Sequence, residues 1–595
     1  MRQRLFICFA VLLVTLGLVA DPVRASTAPI PYVTVIVGGM PEELRDFLYD
    51  VSQSRRFQDR AVATTAVLRR RVAEDEERLL KALRSKGFYN ARIKGTVRSG
   101  PGPHEAVLEV ETGPVYLVED VVIQRTGAPG DPVVSTALAD IGLEIGMPAE
   151  AARLKAAEEA LLDVARRAGY PAPAIAEARY QVDHDRTTLT SHILLATGAP
   201  ATFGALTIEG LEAVREQYVR VLADWRVGRP YDPGVLTDLK RRMSETSLFS
   251  TIIVETQTSP DGNARLPVTL RVEERDRRTV GLGLRVTSGD DFLSANASWQ
   301  HRNYLGGGET LKAETTLSSL EQKVALGFRK PQFIKRGQTF VASAIARHED
   351  SDAFEESSLA ASIGLERRAA EIYTTNIGLA AELASISDTE DESYFALIGA
   401  PVGLTRDSRD TPLDATTGTL FAARVTPWAS LSESSSGFVV GELSGAAYQK
   451  LGSPRVIAAA RARIGSILAA DLRDVPANKR FYAGGGSSIR GYEFRRVGPL
   501  DSGGDPTGGR SVAEIGAEVR FLAAESIGVV PFIDGGQVSK STLPGLDEDL
   551  RWAAGLGLRY LTPIGPIRLD VAFPLDRRAG IDDRFQFYVS IGQAF

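Results

Sequence analysis

From Arg277 to the C-terminus the chain alternates apolar side chains with small or polar ones, in short runs broken by Gly, Asp, Ser and Pro clusters. Val280-Gly-Leu-Gly-Leu-Arg-Val286 is the first run; others cover 292–300, 324–329, 340–347, 359–367, 377–384, 420–426, 439–446, 459–467 and 552–560. A period of two is the pattern of a strand with two different faces. About 16 such runs lie between 278 and 595, near 20 residues for each strand and its connector. Membrane strands of roughly 9–11 residues, joined by alternating short turns and longer loops, need that allowance.

Such strands fit either a soluble β-domain or a closed barrel in a membrane. The last run separates its faces most clearly. Phe585, Phe587, Val589, Ile591 and Phe595 lie on one side, with Arg584, Gln586, Tyr588, Ser590, Gly592 and Ala594 on the other. Apolar-out and polar-or-small-in is the lipid–lumen alternation, and closure removes the edges that hydrocarbon does not tolerate. The expectation for 278–595 is a transmembrane antiparallel β-barrel of about 16 strands.

At the other end, Arg2 and Arg4 precede an apolar run over 5–20, and Val23-Arg24-Ala25 supplies small residues before Ser26. This is the layout of a secretory signal peptide over 1–25; the run is short for a membrane anchor. Cys8, the only cysteine, would leave with it, so no disulfide or cysteine–metal site is expected in the mature chain. A net charge of −6 with scattered basic residues argues against a nucleic-acid partner.

Residues 30 to about 275 read differently, and they repeat. Leu79, Leu80 and Leu83 space a helical face that ends in Gly87-Phe88-Tyr89. Leu154, Ala157, Leu161 and Val164 do the same before Gly169-Tyr170, and Leu236, Leu239 and Met243 before Leu248-Phe249. The aromatic landmarks at 88, 170 and 249 are 82 and 79 residues apart. Gly146-Met147-Pro148 and Gly228-Arg229-Pro230 keep the same period. Each unit reads strand–helix–helix–strand–strand, an α+β arrangement of roughly 80 residues.

This pattern resembles the polypeptide-transport-associated (POTRA) domain, in three copies over about 28–113, 114–198 and 199–275. The resemblance implies periplasmic domains whose edge strands bind partner segments by strand addition.

Five stretches of the second half carry a second resemblance. Tyr482-Ala-Gly-Gly-Gly-Ser-Ser-Ile-Arg-Gly-Tyr492 is similar to the sixth-loop motif of the POTRA-plus-barrel superfamily, which includes BamA, TamA and the two-partner-secretion transporters. Asn303-Tyr-Leu-Gly-Gly-Gly-Glu309, with Gly306 and Gly308, matches an early-barrel turn, and Asp407-Ser-Arg-Asp-Thr-Pro-Leu-Asp414, with Asp410 and Gly418, a mid-barrel one. Phe532-Ile-Asp-Gly-Gly536 and Thr562-Pro-Ile-Gly-Pro-Ile-Arg-Leu-Asp570 match two stretches near the end. A terminal Phe595 resembles the recognition signal of outer-membrane proteins, although Gln593 breaks the outward apolar row. The 278–595 region is thus expected to be a surface antigen-type outer-membrane barrel.

A run of glycines favours a loop over a strand. Arg490 keeps its charge and, in a desolvated lumen, needs carboxylates. The resemblance implies a lumen latch of Arg490, Gly491 and Tyr492, with Glu518 and Asp534 as its acidic partners. It also implies that the first strand closes on the last, at a seam weakened by Gly281, Gly283 and Gly592.

Catalysis is not expected: the five histidines are scattered, no Gly-x-Ser-x-Gly is present, and Gly484-Gly485-Gly486 lacks the Lys-Ser/Thr of a phosphate loop. Asp407, Asp410 and Asp414 fit a charged turn better than a Ca²⁺ cluster, so no metal or cofactor is expected. Three repeats are most similar to the TamA branch. That likeness implies insertion of autotransporters and other outer-membrane clients with a TamB-like inner-membrane-anchored partner, in contact with outer-membrane lipid. A passive secretion pore for a soluble protein is the alternative.

Overall fold

The computed structural model describes residues 29–126, 137–257, 262, 264–287, 293–388, 392–412, 414–431, 437–524, 526–545, 550–562 and 566–591. The stretch read as a signal peptide, Gly592 and the terminal Phe595 lie outside these residues. No described helix is long and apolar enough to cross a membrane.

The N-terminal half contains three small sheets of one topology, each ordered first–third–second strand. In the first, Tyr32–Val37 pairs parallel with His104–Glu111, which pairs antiparallel with Arg92–Arg98. In the second, Leu117–Thr126 and Ala174–Asp183 flank Thr188–Ala196 in the same senses. Thr202–Glu209, Phe249–Thr256 and Arg265–Glu274 form the third. Helices cover each sheet through an apolar stripe. Leu68, Val72, Leu79 and Leu83 are buried on Thr65–Ser85, Leu154, Ala157, Leu161 and Ala165 on Ala151–Arg167, and Val235, Leu239 and Met243 on Pro233–Glu245. Val164 and Leu236, read as core-facing, are half-buried, with Val164 packed against the core, and Ala165 and Val235 complete the buried stripes.

The periodic glycines have a conformational cause. Gly87 and Gly169 have φ of +88° and +105°, which glycine adopts without a Cβ clash. The carbonyl of Gly87 accepts from Tyr116 N (2.9 Å), and that of Gly169 from Ala201 N (2.9 Å). Each left-handed turn therefore ends a helix and holds the entry to the next repeat.

Arg278–Thr287 opens a closed antiparallel barrel of seventeen strand segments among the described residues. Glu392–Gly399 and Val402–Asp407 both pair with Tyr373–Ser387 and with Gly418–Ser430, in unbroken register on each side. They are one strand interrupted at Ala400-Pro401, because proline has no N–H for the ladder. The wall thus has sixteen strands.

Polarity is inverted relative to a soluble protein. Leu282, Leu284, Leu326, Ile363, Ile377, Leu383 and Leu556 are exposed on the outer face. Inside, Glu514, Glu518, Arg520, Asp534, Arg559 and Asp570 are buried. Such a surface is stable only where hydrocarbon surrounds it and the ionic groups inside are paired.

Candidate functional site

Residues 469–510 connect the eleventh strand, Ser453–Leu468, to the twelfth, Ser511–Leu522. The loop is built on left-handed glycines: φ is +111° at Gly484, +95° at Gly485 and +101° at Gly491. Gly485 N donates to Tyr492 O (3.1 Å) and Ser488 N to Gly485 O (3.1 Å), closing a compact turn with Arg490 at its tip. Phe481, Ala483, Ile489, Tyr492 and Val497 join a buried cluster with wall residues, among them Phe395, Phe438, Val512 and Val538. The loop therefore packs within the barrel.

Arg490 has no exposed surface. Its Nε donates to Asp534 Oδ2 at 2.6 Å and Nη2 to Asp534 Oδ1 at 3.0 Å, a two-pronged fork on one carboxylate. Its Nη1 reaches Asp570 Oδ2 at 3.1 Å and Glu518 Oε2 at 3.4 Å, and its backbone N donates to Asp534 Oδ2 at 3.2 Å. The guanidinium carbon lies 3.4 Å from the centroid of the Phe532 ring. Burial works against the charge, but the Asp534, Glu518 and Asp570 carboxylates outweigh it and hold the guanidinium above its usual pKa.

Asp570 was quoted in a motif but not expected as a latch partner. It comes from the fifteenth strand, Ile567–Pro574, and also binds Arg559 and Arg568, the latter through Nε at 2.6 Å. Arg520 Nε holds the other oxygen of Glu518 at 2.8 Å. Gly491 N donates to Tyr588 Oη (3.1 Å) and Tyr492 Oη to Trp552 O (2.9 Å), so the latch also touches the last strand, Gln586–Ile591.

A second set of contacts, missed in the sequence, ties the loop to the fifth to seventh strands. Arg495 pairs with Glu349 at 2.5 Å, Lys479 with Glu382 at 2.6 Å, and Arg480 with Asp388 at 3.2 Å. The loop is held at both walls. Its basic residues alone gave no signal of this, since any of them could have been solvated.

The remaining motif residues have distinct places. A Cβ on Gly536 would lie 2.5 Å from Ala513 O on the neighbouring strand and 2.9 Å from Ile489 Cδ1 of the loop, so glycine fits where strand and loop both approach. Gly306 and Gly308 receive the third repeat: Arg215 N donates to Gly306 O (2.8 Å), and a Cβ on Gly308 would stand 2.6 Å from the Tyr218 ring. Arg336–Asp224 and Arg368–Glu245 flank this seat. Asp410 accepts from Thr411, Thr416 and Thr417 N and closes its turn, while Asp414 lies 3.8 Å from Arg520. No three His, Cys, Asp or Glu side chains converge on a metal position among the described residues.

Gly491 gives a direct test of the packing. Its φ is left-handed and an added Cβ would lie 2.8 Å from Ala553 Cβ. Gly491→Ala should therefore cost about 1–3 kcal/mol, measured as a lower unfolding midpoint of the folded barrel.

Residues 303–595 match the Omp85 superfamily domain and 201–275 the surface antigen variable number repeat, POTRA. The chain carries an Omp85 superfamily domain. BamA, the outer membrane protein assembly factor of Nitratidesulfovibrio vulgaris, is 26% identical over 409 residues, 65% of this chain and 50% of that protein. A putative outer membrane protein assembly factor of Treponema pallidum is 21% identical over 257 residues, 42% of this chain and 30% of that one. The chain thus spans half the length of the first relative and less of the second. BamA from Haemophilus ducreyi lacking POTRA domains 1–3 shares the fold, with TM-score 0.67 at 18% identity, over 80% of this chain and 100% of that structure. An Omp85 barrel behind POTRA repeats belongs to the outer membrane of a Gram-negative bacterium, with the repeats in the periplasm.

Proposed function

We propose that this Omp85 protein assembles outer-membrane proteins, autotransporters among them, by pairing client strands at the seam between its first and last barrel strands. One observation carries the reading. Between Arg278–Thr287 and Gln586–Ile591 the described residues form two register pairs, Val286↔Val589 and Thr287↔Tyr588. The flanking pairs are far longer: nine positions between the first and second strands and six between the last two. Opening the junction of first and last strands offers two unpaired edges as templates for a client strand.

The Arg490 loop fits this reading as a latch: it fills the lumen and leaves the seam as the working surface. Three repeats, as in the TamA branch, support a TamB-like partner that docks on the periplasmic repeats, with outer-membrane lipid receiving the product. No residue is assigned a catalytic role.

The test is photo-crosslinking in membranes that carry an arrested client. A crosslinker at Leu282, exposed on the first strand, should capture the client, and one at Glu382, inside the lumen, should not. Capture at the lumen position alone would instead make the barrel a secretion pore. Purification of the complex from membranes should bring down a TamB-like partner.

A further inference from the structure

Among the described residues eleven Asp or Glu side chains are buried. Ten of them have an Arg or Lys nitrogen within ion-pair distance. The exception is Glu356, on the sixth strand, Phe354–Ala370, which is 1% exposed and has no cationic partner. An uncompensated buried carboxylate is costly, and a bound cation offsets that cost.

The neighbours define what that is. Asn478 Nδ2, from the lumen loop, donates to Glu356 Oε1 at 3.0 Å and to Glu382 Oε1 at 2.8 Å. Lys479 holds the other oxygen of Glu382 at 2.6 Å. Glu356 Oε2 and Asn478 Oδ1 are both buried with no hydrogen-bond donor. Two glutamates against one lysine leave one negative charge. An amide's oxygen and nitrogen are assigned from its partners, and half a turn of the Asn478 amide puts Oδ1 between the two carboxylates. Three oxygens at those separations match neighbouring ligands of a hard cation bound at roughly 2.3–2.6 Å. Carboxylate and amide oxygens without imidazole or thiolate select Ca²⁺ or Mg²⁺ over zinc or copper.

We propose that Glu356, Glu382 and the Asn478 amide oxygen bind a divalent cation, Ca²⁺ or Mg²⁺, that fastens the lumen loop to the sixth and seventh strands. The site lies at the anchor opposite Arg490 and does not depend on the seam reading. It differs from the charged turn over 407–414.

The full chain, folded in detergent and freed of metal with a chelator, is titrated with Ca²⁺ and then Mg²⁺ by calorimetry. Loop cleavage by trypsin is followed in parallel. One saturable site is expected, with the loop protected as it fills. Glu356→Gln should weaken binding by about tenfold or more. Asn478→Ala, which keeps both carboxylates, should weaken it in the same direction. The faster gel mobility of the unheated barrel checks that each variant is folded. Absence of saturable binding at millimolar cation, or wild-type affinity in both variants, overturns the proposal. Loop protection that follows acidification with no dependence on cation also overturns it, by making Glu356 a protonated acid.

Discussion

Replacing Arg490 by alanine should cost the barrel about 3–5 kcal/mol, because it leaves carboxylates buried without their shared cation. The loss falls unevenly. Glu518 keeps Arg520, and Asp570 keeps Arg559 and Arg568, whereas the one cation left to Asp534 among the described residues is Arg461, at 3.8 Å. Asp534 should therefore dominate the effect, and Asp534→Ala combined with Arg490→Ala should cost less than the sum of the two single changes. Arg490→Lys keeps the charge but loses the fork that places Nε and Nη2 on one carboxylate, and should fall between wild type and alanine. The measurement is the temperature at which the unheated gel mobility is lost, together with tryptic cleavage of the loop. Wild-type midpoints and an uncut loop in both single alanine variants would show that the pin carries no energy.

Val286→Cys with Val589→Cys should abolish client insertion when oxidised and recover it under reductant. The two positions are register partners at the seam, so the disulfide closes the edge that the proposed mechanism opens. The natural sequence contributes no competing thiol beyond Cys8, in the stretch read as a signal peptide. Ala295→Cys with Leu317→Cys, register partners between the second and third strands, is the control and should leave insertion intact. Full activity in the oxidised seam variant rejects gating and leaves the lumen as the route.

Much of this architecture was legible because it rests on local periodicities. A period of two assigns each barrel residue to lipid or lumen, and the family resemblance implied Glu518 and Asp534 as acidic partners inside. The recurrence of Gly87 and Gly169 marked the repeats because only a left-handed turn ends those helices. The interrupted eighth strand is a different case: only the register on both sides of Ala400-Pro401 shows a gap within one strand.

The sequence by itself determined the alternation, the three repeats and the presence of Arg490 in a glycine-rich loop unfit to be a strand. Only the tertiary structure decided that Asp570 completes that arginine's site, that Arg495 and Lys479 anchor the loop opposite, and that Glu356 is left without a cation. The physical reason is distance along the chain. Alternation fixes which way a side chain points. Which inward residues meet depends on strand register and on the path of the loop, and Arg490 and Asp570 are 80 residues apart.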